Sequence, residues 1–71
     1  MMEEDKQKIL DALLKALTQT RDLYDLFDLE YKSTPDKQFV IAKFVRGGTK
    51  KINVTMDSGV AMIRDVMHAL R

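Results

Sequence analysis

The sequence predicts an α+β fold: a two-layer domain in the order α-β-β-β-α, with a three-stranded antiparallel meander and both helices on one face. Three observations carry this. Gln38 to Met56 reads as a β-hairpin folded at Gly47-Gly48, a pair suited to the positive φ angles of a two-residue turn. Leu10, Leu13, Leu14 and Leu17 recur at helical spacing early in the chain. Val60, Ile63, Met67 and Leu70 do the same at its end. Each helix then has one apolar stripe and the sheet one apolar face, and stacking both helices on that face buries all three.

The first helix is expected from Glu3 to about Thr20, with Ile9 and Ala16 beside its leucine stripe. Glu3, Glu4 and Asp5 suit the positive end of the helix dipole, and Thr18-Gln19-Thr20 are weaker helix formers at the other end. Leu23 to Lys32 alternates and is rich in aromatics, as a strand requires. Leu23, Phe27, Leu29 and Tyr31 fall on one side, interrupted by Asp25, and Tyr24, Leu26, Asp28 and Glu30 on the other. Ser33-Thr34-Pro35-Asp36 is a turn, with proline presetting φ.

A two-residue turn at Gly47-Gly48 sets Arg46 opposite Thr49, Lys43 opposite Ile52, Ile41 opposite Val54 and Phe39 opposite Met56. Phe39, Ile41, Val45, Ile52, Val54 and Met56 then face the helices, and Val40, Ala42 and Phe44 face outward with Arg46, Thr49, Lys51, Asn53 and Thr55. Two registers suit the first strand. In one, Phe27 faces Ile41 and Asp25 faces Lys43; in the other, Phe27 faces Lys43 and Tyr31 faces Phe39. The first is preferred because it pairs two charges that are costly to bury singly. Asp57 or Ser58 caps the last helix, with Met62 and Val66 at the margins of its stripe and Arg64, Asp65, His68 and Arg71 outside.

Seventy-one residues make one domain, spanning residues 1–71 and near the lower limit for a self-supporting core. Hydrophobic content of 45% argues for a folded chain over a disordered one. The chain has no cysteine, which excludes disulfides and thiolate zinc sites and fits a cytoplasmic setting. No apolar run approaches the roughly twenty residues of a membrane span, so no membrane contact is expected, and MMEEDKQK lacks the apolar core of a signal peptide. The net charge of +1 hides an asymmetry: residues 1–30 hold eight acids and four bases, residues 31–71 three acids and eight bases.

No catalytic constellation is legible. His68 is the only histidine and sits near a helix end, where it complements the dipole. Asp28 and Glu30 share a strand face without a cleft to shift either pKa. Ser58-Gly59 has no base nearby, and Asp57 would repel a phosphate there. The five methionines sit mostly at core spacing. No catalytic, cofactor or metal residues are therefore expected, and the expected class is a non-enzymatic protein-interaction module. Its expected surface is the outer sheet face, an apolar patch of Leu26, Val40, Ala42 and Phe44 with a polar rim. A protein partner or a second copy would cover it; a homodimer would form back to back, because like edges carry like charges.

The alternative expectation is nucleic-acid binding through a basic hairpin tip, Arg46, Lys50 and Lys51, with Lys43, Arg21 and Arg71 as lesser candidates. The topology gathers Arg21, Arg46, Lys50, Lys51, His68 and Arg71 at one pole and Glu3, Glu4, Asp5, Asp36 and Asp57 at the other. Helix-dipole complementation accounts for the same placement. In element order and length the chain resembles the double-stranded-RNA-binding domain. That resemblance implies phosphate contacts from a lysine-rich start of the last helix. Here that helix starts Asp57-Ser58-Gly59-Val60-Ala61 and the first begins with acids, so no functional residue is carried over.

Overall fold

The computed structural model describes residues 5–20, 23 and 25–70. Helix α1 (Lys6–Leu17), strands β1 (Leu26–Ser33), β2 (Gln38–Phe44) and β3 (Thr49–Asn53), and helix α2 (Gly59–Leu70) follow in the expected α-β-β-β-α order. The strands form one antiparallel sheet in the order β1-β2-β3. Helix α1 packs on β1, α2 on β3, and the helices meet each other, so both lie on one face.

The leucine stripe of α1 behaves as its spacing requires. Leu10 and Leu17 are buried, and Ile9, Leu13 and Leu14 pack against the core, while Ala16 is exposed. Asp5 is the N-cap, its Oδ1 accepting from the Lys8 N–H at 3.0 Å. Glu3 and Glu4 lie outside the described residues. Thr18 Oγ1 donates to the Leu14 carbonyl at 3.0 Å and Thr20 Oγ1 to the Leu17 carbonyl at 2.7 Å, which satisfies acceptors that a helix end leaves open.

The hairpin corrects the expected register. Phe44 N–H donates to the Gly48 carbonyl at 3.0 Å, and three residues, not two, turn the chain between them. Gly47 takes φ +98°, and its N–H donates to the Phe44 carbonyl at 2.9 Å. A three-residue loop with glycine in its left-handed last place is the next most favoured hairpin after the two-residue turns. Val40 now pairs with Ile52, Ala42 with Lys50 and Lys43 with Thr49. The shift of pairing is odd, so β2 is turned over relative to expectation. Val40 and Ala42 are wholly buried with Ile52 and Val54, and Phe44 packs against them, while Phe39 and Ile41 face outward.

Strand β1 follows β2. Leu26 pairs with Phe44 and Asp28 with Lys43, and Phe27 is the extra residue of a bulge between them. The bulge lets Leu26 join Leu29 in the core and leaves Phe27 53% exposed, the reverse of the expected placement. Neither expected register is adopted, and Lys43 stands opposite Asp28, not Asp25. The outer edge of β1 is closed by a side chain. Gln7 Nε2 donates to the Leu29 carbonyl at 2.9 Å, and the Tyr31 N–H donates to Gln7 Oε1 at 2.8 Å. One carboxamide thus supplies the donor and the acceptor that a neighbouring strand would have offered.

Helix α2 is also turned from its expected setting. Ser58 is its N-cap: the Ser58 carbonyl accepts from Met62 N–H at 2.8 Å and its Oγ from Ala61 N–H at 3.2 Å. Gly59, Met62, Val66 and Leu70 are buried, whereas Val60 is 78% and Met67 38% exposed. The buried side carries Gly59, and Ala69 packs beside it against the core. Met56, expected in the core, is 89% exposed in the turn before α2 and has φ +66°.

Two stability predictions follow from this geometry. A left-handed backbone costs a non-glycine residue roughly 1–2 kcal/mol, so Met56→Gly is expected to raise unfolding free energy by about 1 kcal/mol after glycine's entropic cost. Urea denaturation measures it. Gln7→Ala leaves the Leu29 carbonyl and the Tyr31 N–H without protein partners and is expected to cost about 1–3 kcal/mol. Hydrogen exchange should quicken at Tyr31 while Val40, bonded on the other side of β2, stays protected.

Candidate interaction surface

The residues expected to form an outer interaction face lie elsewhere. Leu26, Val40 and Ala42 are at most 2% exposed, and Phe44 packs against the core beneath the helices. They are therefore core residues, and the correction traces to the odd shift of the hairpin. Tyr24, expected on the same side of the first strand as Leu26, lies outside the described residues.

The open sheet face instead carries Asp28, Glu30 and Lys32 from β1, Phe39, Ile41 and Lys43 from β2, and Thr49, Lys51 and Asn53 from β3. Its centre is an ion-pair cluster. Lys43 Nζ lies 3.4 Å from Glu30 Oε1 and 3.7 Å from Asp28 Oδ2, and Lys32 Nζ lies 3.2 Å from Glu30 Oε2. Hydrogen bonds from Lys32 and then Lys43 hold the Glu30 carboxyl below the ordinary range. The pairs are exposed and contribute little stability. They leave the β1 side of the face without net charge to spare. Toward β3, Lys51 Nζ sits 4.2 Å from the centroid of the Phe39 ring, so a cation covers the one aromatic side chain of the central strand on this face.

The three residues of the basic tip do gather near one end, but each has an intramolecular contact. Arg46 Nε is 4.0 Å from Asp25 Oδ2. Lys50 Nζ donates to the Ala69 carbonyl, the negative end of α2, as dipole complementation expects. Lys51 lies over Phe39. Arg21 and Arg71 are outside the described residues.

At the opposite pole, Lys6 Nζ donates to the Asp57 backbone carbonyl and ties α1 to the start of α2. The Asp57 Oδ2 atom is shielded from solvent and meets no donor. The neighbouring Asp65 carboxyl comes first in pushing the Asp57 carboxyl above its ordinary range, and burial comes second. Among the described residues, no three His, Cys, Asp or Glu side chains are gathered as a metal site would require. No helix among them is long and apolar enough to cross a membrane.

The surface that sequence periodicity misplaced is on α2. Val60, Ile63 and Met67 form a second apolar stripe, exposed at Val60 and Met67 and half-buried at Ile63. The signal was present: Gly59, Met62, Val66 and Leu70 recur at helical spacing as regularly as Val60, Ile63, Met67 and Leu70. No protein-family model, curated protein or solved structure matches the chain.

The acid pair generates a pH prediction. A carboxyl whose pKa is raised by folding contributes stability below its unfolded pKa, and that contribution is lost as pH rises through the folded value. Asp57→Asn is expected to raise the urea midpoint at neutral pH and to change it less in acid, where the Asp57 carboxyl is protonated. Glu30 runs the other way. Its lowered pKa contributes stability above the ordinary carboxylate range that is lost in acid, so Glu30→Gln should lower the midpoint at neutral pH only.

Proposed function

We propose that the chain is a small non-enzymatic module that binds another protein. The observation that carries the reading is the second apolar stripe of α2: Val60 and Met67 are exposed and Ile63 is half-buried, at spacings that put the three side by side on the helix. Single exposed apolar residues are ordinary, but a helical stripe with a polar surround is a surface for a partner. Arg64 and His68 supply that surround on α2. The cytoplasmic setting expected from the cysteine-free sequence belongs to the same reading.

Nucleic-acid binding by the hairpin remains the second reading, favoured by one observation: residues 37–56 hold five bases and no acid. Against it, Arg46, Lys50 and Lys51 each engage a group of the chain itself.

The test is site-specific photo-crosslinking in the cells that make the protein, with the photoreactive residue at Val60 or Met67 and, as control, at Thr49 on the open sheet face. Expected is one adduct of defined mass from the α2 positions and none from Thr49. Equal yield from all three would overturn the reading. In parallel, duplex DNA and RNA are expected to leave the amide spectrum unchanged at physiological salt. Salt-sensitive shifts at Arg46, Lys50 and Lys51, lost in a Lys50→Glu/Lys51→Glu pair, would establish the second reading instead.

A further inference from the structure

The two helices run parallel on one face of the sheet. Lys6, the first residue of α1, donates to the carbonyl of Asp57, just before α2, so both helices start at one pole. At the other pole, Lys50 near the start of β3 meets Ala69 in the last turn of α2, and the chain leaving α1 turns through Leu23 into Leu26 at the start of β1. Parallel helices on one face turn equivalent flanks the same way. Gln7 fixes which way that is. At about 100° per residue, and seen from the start of the helix, Gln7 lies clockwise of the buried Leu10 and Leu17, and it reaches the outer edge of β1, away from α2. Ile9, Leu13 and Ala16 lie anticlockwise and so face α2. In α2, Val60, Ile63 and Met67 lie clockwise of the buried row of Gly59, Met62, Val66 and Leu70. They point as Gln7 points, and from their place over β3 that direction is toward α1. These six residues are the two walls of a groove between the helices. Their exposure agrees: Leu13 and Ile63, about 50° from the buried rows, are half-buried, and Val60, Met67 and Ala16, about 100° from them, are exposed.

The charges sort by the same geometry. Lys8 and Lys15 on α1 and Arg64 and His68 on α2 fall opposite the buried rows, on the crests beside the groove, and all four are exposed. Asp11 is on the far flank of α1, where its Oδ1 accepts from Gln7 Nε2 at 2.9 Å. Asp65 is on the far flank of α2, against Asp57. No carboxylate among the described residues lies within ion-pair distance of Lys8 or Lys15. An apolar groove is thus rimmed by bases, and the acid of each helix is turned away from it.

We infer that the groove between α1 and α2 receives an amphipathic helix of a partner protein, apolar on the face laid into the groove and acidic along its flanks. The inference rests on the interaction-module reading and deepens it. A helix in a groove anchors by apolar side chains about one turn apart. Here those anchors meet Ile9, Leu13 and Ala16 on one wall and Val60, Ile63 and Met67 on the other. Carboxylates beside the apolar face reach Lys8 and Lys15 on one crest and Arg64 and His68 on the other. Complementary charge of this kind selects the partner and speeds encounter more than it adds affinity. A second copy is a poor occupant, because it brings the same bases to the same rim. A flat bilayer meets the bases but not Leu13 and Ile63, which lie below the crests.

The test uses the full ¹⁵N-labelled chain and synthetic helix-forming peptides. One carries leucine on one face and glutamate elsewhere, a second leucine and lysine in the same pattern. A third has the composition of the first, scrambled so that no apolar face forms. Expected are amide shifts along α1 and α2 with the glutamate peptide and none at Thr49 or Lys51 on the open sheet face. The lysine peptide should bind at least about tenfold more weakly, and the scrambled peptide not at all. Val60→Asp should abolish binding, and Lys8→Glu/Lys15→Glu should reverse the preference between the two peptides; all three positions are exposed, so the fold is expected to stand. No shift with the glutamate peptide at millimolar concentration, equal affinity for the lysine or the scrambled peptide, or indifference to Val60→Asp would each overturn the inference. Binding to phosphatidylserine vesicles without response to the peptide would overturn it in favour of a membrane surface. A dimer by sedimentation that Val60→Asp turns into a monomer would overturn it in favour of a second copy. A crosslink at Val60 or Met67 with no response to the glutamate peptide would sink the acidic helix and leave the module reading standing, whereas absence of the crosslink would sink both.

Discussion

The conformation of Gly47 is the constraint on which the rest of the structure depends. With φ at +98°, it closes a three-residue loop and so determines which residue of β2 stands opposite which residue of β3. From that pairing the core follows. Val40 and Ala42 turn under the helices with Ile52, and Phe39 and Ile41 turn out. Strand β1 then matches β2 by means of a bulge at Phe27, which brings Leu26 and Leu29 into the same layer. A two-residue turn at the same glycines would have built a different inner face from the same strands.

The odd register also resolves the charges. With Lys43 on the open face, it lies between Asp28 and Glu30, and no charged side chain of β1 or β2 is forced under a helix. Lys50 keeps a position on the helix side of β3, but at an edge, where its ammonium reaches the carboxyl end of α2. Buried charges are costly without partners, and this pairing avoids them more completely than an Asp25–Lys43 contact at the core margin would. The one electrostatic tension left among the described groups is between Asp57 and Asp65 at the start of α2.

A small domain has two edges and one open face to manage. Here the β1 edge is closed from within by Gln7, the open face carries ion pairs, and the β3 edge carries lysines. Lysines on an edge discourage pairing with a like edge and still admit an acidic one.

The element order, the leucine stripe of α1 and the inward setting of Leu29, Tyr31, Ile52 and Val54 were determined by the sequence itself. Periodicity and helix-dipole preference are local properties, read within a few residues. Which face of β2 is buried was decided only by tertiary structure, because Phe39-Val40-Ile41-Ala42 is apolar on both sides and alternation carries no information there. The same holds for α2. Its apolar residues lie on two overlapping stripes, and the one buried runs through Gly59, Met62, Val66 and Leu70. The closure of β1 by Gln7, twenty-two residues from Leu29, has no local signal at all. The candidate interaction surface was misplaced for the same reason as the core. An interface is what packing leaves uncovered, and packing is settled between elements, not within them.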